Sequence, residues 1–538
     1  MAPVRTSVAP GPPASPPGVT DPSRSTLALG GLAGLLAAGA GVAVSEAVAA
    51  LLTGVTSPLL SVGNRAVDQA PRPVKEWAIE TFGTADKPVL IGGVIATVAV
   101  LAILAGVIGV RRPQVAAIAI LVLGAVAGAA TLTDRSATAG TGLRLVPVLA
   151  LVVIGLAALL SLLRPLHRSV DRVSADPSVR PGPTGDRRSF LLVAAAVTAV
   201  AAVGGGIARS FGELAATASR AAVRLPRPRS AASPVPAGTE LEVGGITPYL
   251  TSNADFYRVD TALRVPDVPV DGWRLEVTGM VQRELSLSYE DLLSRPLVEK
   301  RITLTCVSNP VGGEYLGNAV WLGVPIADLL EEAGVDPRAD AVRSRSVDDF
   351  TAGTPLSVLL DRERGALVAV GMNGEPLPLD HGFPARMVTP GLYGYVSATK
   401  WLVELEVTRF ADFKAYWTTR GYSAEAPIKT SSRIDVPRSF AKVEAGRTPV
   451  AGVAWAQTRG IRSVEVRVDG GEWQEAELAA EDGIQTWRQW VWQWDATPGS
   501  HTLEARATDA TGDVQTGRRV PIAPNGATGW DSVNVQVV

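Results

Sequence analysis

The chain has 538 residues, of which 47% are hydrophobic and only 19% are charged, and its formal net charge is −2 at pH 7. This length predicts several structural units, and the near-neutral charge gives no reason to expect a nucleic-acid partner. Its single cysteine excludes an internal disulfide, and it excludes an iron–sulfur cluster or a cysteine-rich zinc site held by this chain alone.

Residues 1–25 are rich in Pro, Ser and Gly, which predicts a disordered cytoplasmic tail. The hydrophobic bias is concentrated in 26–210, where five apolar runs each approach or exceed the ~20 residues that cross a bilayer as a helix. We therefore predict an all-α transmembrane anchor of five helices. No histidine lies within these runs, so they cannot hold a bis-histidine haem by themselves. The runs lie near 27–53, 88–110, 114–133, 145–163 and 189–208.

The placement of basic residues predicts the orientation of this anchor. If the N-terminus is inside, the inner segments carry ten arginines, whereas the outer loops are poorer in basic residues. The positive-inside rule therefore predicts a multi-pass cell-membrane protein with a cytoplasmic N-terminus and everything after about residue 210 outside. Asp186–Leu191, directly before the fifth run, resembles a twin-arginine export signal, although Arg187 and Arg188 also satisfy the positive-inside rule alone.

Residues 211–240 are predicted to be a linker in which arginines alternate with Ala, Pro and Ser. This basic stretch is suited either to contact with anionic membrane lipid or to a solvated tether. The arginines concerned are Arg220, Arg224, Arg227 and Arg229.

Residues 241–435 mix short strands and helices with no regular βαβ repeat, which predicts an α+β domain. Trp273–Gly279 is typical of a strand. Ser288, with Asp291 three residues later, is typical of a capped helix start. A further helix is predicted to end at Gly334, because glycine is the common C-terminal cap.

Residues 436–538 change character and predict an immunoglobulin-like β-sandwich. Ser463–Trp473 has the pattern strand, Asp-Gly turn, strand, and alternation returns from His501. Seven tryptophans are predicted to fill the core of the sandwich; a carbohydrate-binding surface is the alternative interpretation. They are Trp455, Trp473, Trp487, Trp490, Trp492, Trp494 and Trp530.

The stretch Arg301–Asn309 alternates like a half-buried strand and places Cys306 at its end, before a Pro-Val-Gly-Gly turn. A lone buried cysteine is usually an inert apolar residue, but as a thiolate it is a soft ligand for a heavy metal. Leu304–Asn309 and, after a glycine-bearing loop, Gly317–Pro325 resemble the sulfite oxidase family of molybdoenzymes. The resemblance implies that Cys306 binds the molybdenum of a molybdopterin cofactor and is catalytic.

A second motif, residues 376–401, resembles the pterin-binding segment of that family. The cofactor bears a phosphate and hydrogen-bonding rings, so it needs fixed cations and loop donors. The resemblance implies that Arg386 and Lys400 bind the phosphate end and that His381 binds a pterin edge. By residue type alone, His381 is more typical of a surface turn and Arg386 of a structural ion pair. Two further implied cofactor contacts are Ser397 and Thr399.

A third motif, Asp255–Asp260, resembles the family's entry segment and implies cofactor contacts for Phe256, Tyr257 and Arg258. Many sulfite oxidases carry Arg-Asn where this chain has Val259-Asp260. An arginine that would bind sulfite is therefore missing or displaced.

A fourth motif, Ser346–Leu356, matches a segment in which the family has an acidic residue that touches the cofactor. This implies a cofactor contact for Asp348. Phe350 stands near the position of a tyrosine that sulfite oxidases place beside the metal. Asp260 and Asp348 are the candidate catalytic proton carriers. The two departures leave the cofactor ligands in place and favour a substrate other than sulfite.

We therefore predict a membrane-anchored, extracytoplasmic molybdenum-cofactor oxidoreductase. It would transfer an oxo group and two electrons in sulfite oxidation or in reduction of an S-oxide or N-oxide. The expected partners are a small-molecule substrate, membrane lipid and an unidentified electron-transfer partner. A homodimer through the sandwich is implied by resemblance only. The alternatives are a cofactor-free cell-surface binding or scaffold protein, and a transport or electron-transfer subunit.

Overall fold

The structure is a computed structural model, and it describes residues 23–538 with short gaps. The gaps are residue 53 and residues 72–73, 75–76, 78–80, 83–85, 135–138, 176–184 and 212–213. The predicted tail therefore lies outside the described residues except at 23–25, where Ser23 already caps the first helix. The chain divides into two units, Met1–Gly212 and Glu213–Val538.

The first unit is helical. Five of its helices are long and apolar enough to cross a membrane, as the five runs predict. The fourth run continues as helix to Ala175 and so carries His167, which the sequence places outside the apolar runs. The helices are α1 (Arg24–Ala50), α2 (Pro58–Gln69), α3 (Asp86–Gly109), α4 (Pro113–Thr133), α5 (Thr141–Ala175) and α6 (Gly185–Phe211).

Helix α1 packs against α3, α5 and α6. A Cβ atom on Gly34 would collide with the carbonyl oxygen of Ala102, and one on Gly30 would lie 2.8 Å from that of Gly106. The small residues of α1 therefore serve close helix packing.

The predicted linker is partly folded onto the second unit. Helix α7 (Leu214–Ala222) falls within it, and Arg220 pairs with Glu375 at 2.9 Å. Ser230 forms a parallel bridge with Val298. These contacts overturn the solvated-tether interpretation for Arg220, because its guanidinium is bound by the adjacent domain.

The α+β part of this unit contains two sheets that share a core with three short helices. The first sheet has the order β3-β4-β7-β8, with β9 paired to β7. The second has the order β2-β1-β10-β5-β6. The strands are β1 (Arg274–Gly279), β2 (Leu285–Ser288), β3 (Val298–Thr305), β4 (Leu316–Pro325), β5 (Ala341–Ser346), β6 (Thr351–Pro355), β7 (Leu367–Met372), β8 (Glu375–Pro376), β9 (Arg386–Val388) and β10 (Leu402–Thr408). The helices are α8 (Tyr289–Leu293), α9 (Ile326–Ala333) and α10 (Leu356–Leu360).

Local predictions in this part are confirmed. Ser288 and Asp291 form a reciprocal capping box at the start of α8. Gly334 ends α9 at φ 71°, in the left-handed region that glycine adopts without a steric cost. Two predictions about β3 are wrong, however. The strand is not half-buried throughout, because its last four residues are all buried, and it ends at Thr305, so Cys306 follows the strand instead of ending it.

The C-terminal part is a sandwich of two sheets, in the orders β11-β13-β17-β16 and β12-β19-β18-β14-β15. Its first strand begins at Ser431, before the predicted boundary at 436. The immunoglobulin-like topology stays a prediction. The strands are β11 (Ser431–Val436), β12 (Lys442–Val443), β13 (Gly446–Trp455), β14 (Ile461–Val468), β15 (Gln474–Glu475), β16 (Glu477–Leu478), β17 (Arg488–Ala496), β18 (Gly499–Asp509) and β19 (Asp531–Val537).

The seven tryptophans divide among three environments. Trp490 and Trp494 are buried in the sandwich core, with Trp492 partly buried against it. Trp455 and Trp487 instead belong to a cluster shared with the α+β part, so the prediction of a common core is wrong for them. The remaining two, Trp473 and Trp530, are half-buried and pack edge to face, with ring centroids 5.0 Å apart.

Candidate functional site

Cys306 lies in a turn between β3 and β4 that backbone hydrogen bonds hold at both ends. Its N–H donates to the carbonyl of Tyr315 at 2.9 Å, and its own carbonyl accepts from Asn309 N at 3.1 Å. The N–H of Ser308 lies 3.4 Å from the sulfur. Burial raises the pKa of the thiol, which is only 8% exposed as a residue. The free thiol therefore keeps its proton at neutral pH.

Cys306 lines a cavity of about 100 Å³ together with residues from several other segments of the chain. Most of the predicted site residues line the same cavity. They are Phe256, Tyr257, Asp260, Asp348, Arg386 and Lys400. The other predicted contacts do not line the cavity, and they are Arg258, His381, Ser397 and Thr399. Of these, His381 packs edge to face against the lining residue Phe256, with ring centroids 5.5 Å apart.

His381 ends a short 3₁₀ turn, Leu379–His381, and is 2% exposed. Its Nε2 atom lies 3.1 Å from the carbonyl oxygen of Asn253, so Nε2 carries the proton of the neutral ring. Burial, then the charges of Lys400 and Arg386, lower the pKa of His381 to about 4. Its Nδ1 atom is buried without a hydrogen-bond partner. That atom is an unused acceptor, which fits a ring N–H donor of a bound pterin.

Arg386 and Lys400 are two buried cations on adjacent backbone segments. Gly382 lets them approach, because its φ is 107° and a Cβ there would lie 3.1 Å from the Arg386 Cβ. Arg386 donates to the carbonyl of His381 at 3.0 Å, and no carboxylate pairs with it among the described residues. Burial lowers the pKa of Arg386 to about 10 and that of Lys400 to about 8. Two buried cations that have only one counter-charge, which pairs with Lys400, fit a phosphate group.

That counter-charge is Asp260, whose side chain is 6% exposed. Its Oδ2 atom accepts from Lys400 Nζ at 3.1 Å and from Arg258 Nε at 3.0 Å. Arg258 is therefore engaged by Asp260 and does not line the cavity. This placement suits Asp260 as a fixed negative charge that holds Lys400, more than as the predicted proton carrier.

Asp348 lines the cavity from the segment after β5. Burial raises the pKa of its carboxyl group, and nearby Ser346 opposes this effect. The N–H of Phe350 lies 3.4 Å from its Oδ1. A buried carboxyl with a raised pKa that faces a cavity can hold a proton at a higher pH than an exposed one.

Ser397 and Thr399 are fully buried, and their hydroxyls are used within the protein. Ser397 Oγ donates to the carbonyls of Leu392 and Tyr393, both at 3.0 Å. Thr399 Oγ1 lies 2.7 Å from Ser344 Oγ. These two side chains therefore support the loop that carries Lys400, and their hydroxyls do not face the cavity.

An aromatic wall of Phe350, Tyr395, Trp417 and Tyr422 completes the lining. The rings of Tyr395 and Tyr422 are 5.5 Å apart, and those of Trp417 and Tyr422 are 5.3 Å apart. Sequence reasoning assigned no role to the last two residues. The cluster of aromatic residues at 416–422, directly after the last strand of the α+β part, is the signal that could have found them.

Comparison with known proteins agrees with this geometry. Residues 262–417 match the family described as oxidoreductase molybdopterin binding domain. The chain is 32% identical to mitochondrial sulfite oxidase of Mus musculus over 342 residues, which are 54% of this chain and 62% of that protein. It is 31% identical to sulfite oxidase of Gallus gallus over 322 residues, 51% of this chain and 70% of that protein.

The match therefore spans less than two thirds of the mouse protein's length. Among solved structures, the sulfane dehydrogenase SoxCD of Paracoccus pantotrophus is similar, with a TM-score of 0.47 and 23% sequence identity. The similarity covers 55% of this chain and 85% of that one.

Proposed function

Because the chain belongs to the sulfite oxidase family, we propose that it is a molybdopterin-dependent oxidoreductase that acts on a small sulfur or nitrogen oxo compound. The observation that carries the proposal is the cavity itself. One thiol, two buried cations and one buried histidine acceptor converge on or directly behind it. A cofactor with a soft metal, a phosphate and hydrogen-bonding rings needs this combination of groups.

The residues that would hold the cofactor follow from their chemistry. Cys306 would bind the metal as a thiolate, and its proton would leave when the metal binds. Arg386 and Lys400 would bind the phosphate, and His381 Nδ1 would accept a hydrogen bond from the pterin. When bound, the cofactor supplies a molybdenum centre that exchanges an oxo group and two electrons.

The chain's own part in the reaction is proton transfer, orientation and exclusion of water. Asp348 is the proposed proton carrier, because burial raises the pKa of its carboxyl group. The aromatic wall that includes Trp417 and Tyr422 would orient the substrate against the metal by contact with its apolar part. The same rings would limit the entry of water.

The charge of the cavity favours an uncharged substrate over sulfite. Its cations, Arg386 and Lys400, are assigned to the phosphate, and Arg258 is paired with Asp260. Asp348 adds a further carboxyl group, and Phe350 offers no hydroxyl to an oxyanion. We therefore propose reduction of an S-oxide or N-oxide as the reaction of this protein, with sulfite oxidation as the second candidate.

Substrate panels can separate these two reactions. The full chain would be tested with dimethyl sulfoxide and trimethylamine N-oxide against a reduced viologen dye, and with sulfite against ferricyanide. Turnover of the oxides alone supports the first assignment. Turnover of sulfite with a KM in the usual range of about 1 μM to 1 mM would replace it by the second.

We also propose that the five long helices of the first unit anchor the protein in the cell membrane, with the N-terminus in the cytoplasm. The second unit would then be extracytoplasmic, exported in the folded state through the twin-arginine segment at Arg187-Arg188. Reporter fusions after Arg112 and after Glu240 test this topology. A cytoplasmic signal from the second fusion would refute it.

The remaining partners are proposals of the same kind. An electron-transfer partner is required because the first unit has no histidine pair for a haem among its described residues, where His167 stands alone. The sandwich is the proposed dimer surface, and membrane lipid is the proposed surroundings of the five helices.

The first experiment is the molybdenum content of the full chain, purified in detergent from a host that makes the cofactor. About one molybdenum per chain supports the proposal, as does an electron paramagnetic resonance signal that changes in Cys306→Ser. A folded wild type without metal or pterin would contradict it and would favour the cofactor-free scaffold protein.

A further inference from the structure

The strand that presents Cys306 is held from the side by the sandwich. On β3, the N–H of Thr303 donates to the carbonyl of Gln485 at 3.0 Å. The Thr303 hydroxyl accepts from the N–H of Trp487 at 2.9 Å. Both partners belong to the segment between β16 and β17, outside the α+β part. This side of β3 is therefore completed by residues more than a hundred positions away in the sequence.

A second group of contacts reaches β3 from the end of β13. Gln457 is fully buried, and its Nε2 lies 3.2 Å from the carbonyl oxygen of Thr303 and 3.4 Å from the hydroxyl of Thr305. Thr305 is the residue directly before Cys306. The amide of Gln457 thus contacts two acceptors near the end of the strand, the carbonyl of Thr303 and the hydroxyl of Thr305.

The middle of β3 carries an ion pair with the same sandwich segment. Arg301 donates from Nη2 to Asp482 Oδ1 at 2.7 Å and from Nε to Oδ2. Asp482 also accepts from the hydroxyl of Tyr249 at 2.6 Å. The side chains of Arg301 and Asp482 are 10% and 5% exposed, so this ion pair is shielded from water. The sandwich therefore holds β3 from its middle, at Arg301, to its last residue, Thr305.

We propose that the sandwich positions the metal ligand of this site, and that Gln457 is a positioning residue for Cys306. The inference rests on the proposed role of Cys306 as the ligand. The hydrogen bonds from the Gln457 amide fix the position of the end of β3, and Cys306 is the next residue in the chain, so they also restrict the position of its sulfur. The sandwich is then part of the catalytic unit, whether or not it also forms a dimer.

Gln489 offers a matched control within the same domain. It too is a fully buried glutamine of the sandwich that reaches across to the α+β part. Its Oε1 accepts from Leu241 N and its Nε2 donates to Thr247 O, both at 2.7 Å. It makes no hydrogen bond to β3. Gln457→Met and Gln489→Met therefore remove equivalent amides, and only the first touches the cysteine strand.

The test compares the two variants in the full chain by two readouts. In cofactor-free protein, the rate of Cys306 alkylation by iodoacetamide is expected to change about tenfold in Gln457→Met and to stay as in the wild type in Gln489→Met. In cofactor-loaded protein, the molybdenum paramagnetic resonance signal is expected to shift or broaden in Gln457→Met only. Equal effects in both variants, or wild-type values in both, would overturn the proposal.

If Gln457→Met does not fold, Thr305→Val tests the same contact from the strand side, because it removes one of the two acceptors with little change in shape. It is expected to change the alkylation rate in the same direction. An unchanged rate in Thr305→Val would refute the proposal. The alkylation readout needs no metal, so it remains decisive even if the wild type carries no molybdenum and the proposed function fails.

Discussion

Lys400 links cofactor binding to pH. Its ammonium group is buried, donates to the carbonyl of Asp380 at 2.8 Å and pairs with Asp260 at 3.1 Å. Burial lowers the pKa of Lys400 to about 8, and Asp260 opposes this effect. The cation is present below that pKa and is lost as the pH rises through it. Because we propose that this cation binds the phosphate end, we expect the Lys400 contribution to cofactor uptake to fall as the pH rises through about 8.

The perturbation that tests this is Asp260→Asn, which removes the counter-charge with little change in shape. Two unit charges about 3 Å apart interact by roughly 5 kcal/mol at an effective dielectric constant of about 20. The asparagine oxygen still accepts a hydrogen bond from Lys400, so the substitution removes only part of this interaction energy. A loss of about 1.4 kcal/mol already lowers a pKa by one unit. We expect the uptake midpoint to move from about 8 to about 7 or below.

The assay uses full chain made without cofactor and then incubated with cofactor released from a donor protein, over a range of about pH 6 to about pH 9. Molybdenum is measured after gel filtration. Asp412→Asn is the control, because it removes an exposed carboxylate that pairs with Arg409 at 2.7 Å away from the site. Binding also releases the Cys306 proton, equally in both proteins, so the test compares their midpoints. An Asp260→Asn midpoint equal to that of the wild type would refute the reasoning.

Three further predictions concern packing around the site. Gly317→Ala should lower molybdenum content severalfold without unfolding the protein, because its Cβ would lie 2.7 Å from the ring of Phe256, which lines the cavity; a wild-type metal content would contradict this. Asp482→Ala should lower the free energy of unfolding by about 3–5 kcal/mol, because it leaves the Arg301 guanidinium buried without its carboxylate, and urea titration of the second unit's transition measures it. A loss below about 1 kcal/mol would show that water reaches this pair. Trp490→Ala should lower the free energy of unfolding by about 3–5 kcal/mol in the same titration, since the ring is fully buried in the sandwich core. A near-neutral effect would mean that the core collapses around the cavity left by the ring.

Local signals in the sequence predicted the local structure. The five apolar runs became five long helices, and the capping pair Ser288 and Asp291 became a reciprocal capping box. Gly334 ended the predicted helix. These features depend on residues within one or two turns of each other, so hydrophobic periodicity and backbone preference suffice to predict them.

The chemistry of the site was predicted by residue type and resemblance, but its geometry was not. Arg258 was expected to contact the cofactor and Asp260 to carry protons, yet the structure joins Asp260 to Lys400, 140 positions later in the chain. His381 was ambiguous between a surface turn and a ligand. Only its burial and the unused Nδ1 atom favour the second interpretation.

The sequence by itself determined the elements, the family resemblance and the side chains able to bind a molybdenum cofactor. The tertiary structure decided which of those side chains share a cavity, because Cys306, Lys400 and Trp417 lie on separate segments. It also decided that the sandwich encloses β3, through Gln457 and Asp482. Such contacts depend on the packing of distant segments, and periodicity within a short window carries no information about that packing.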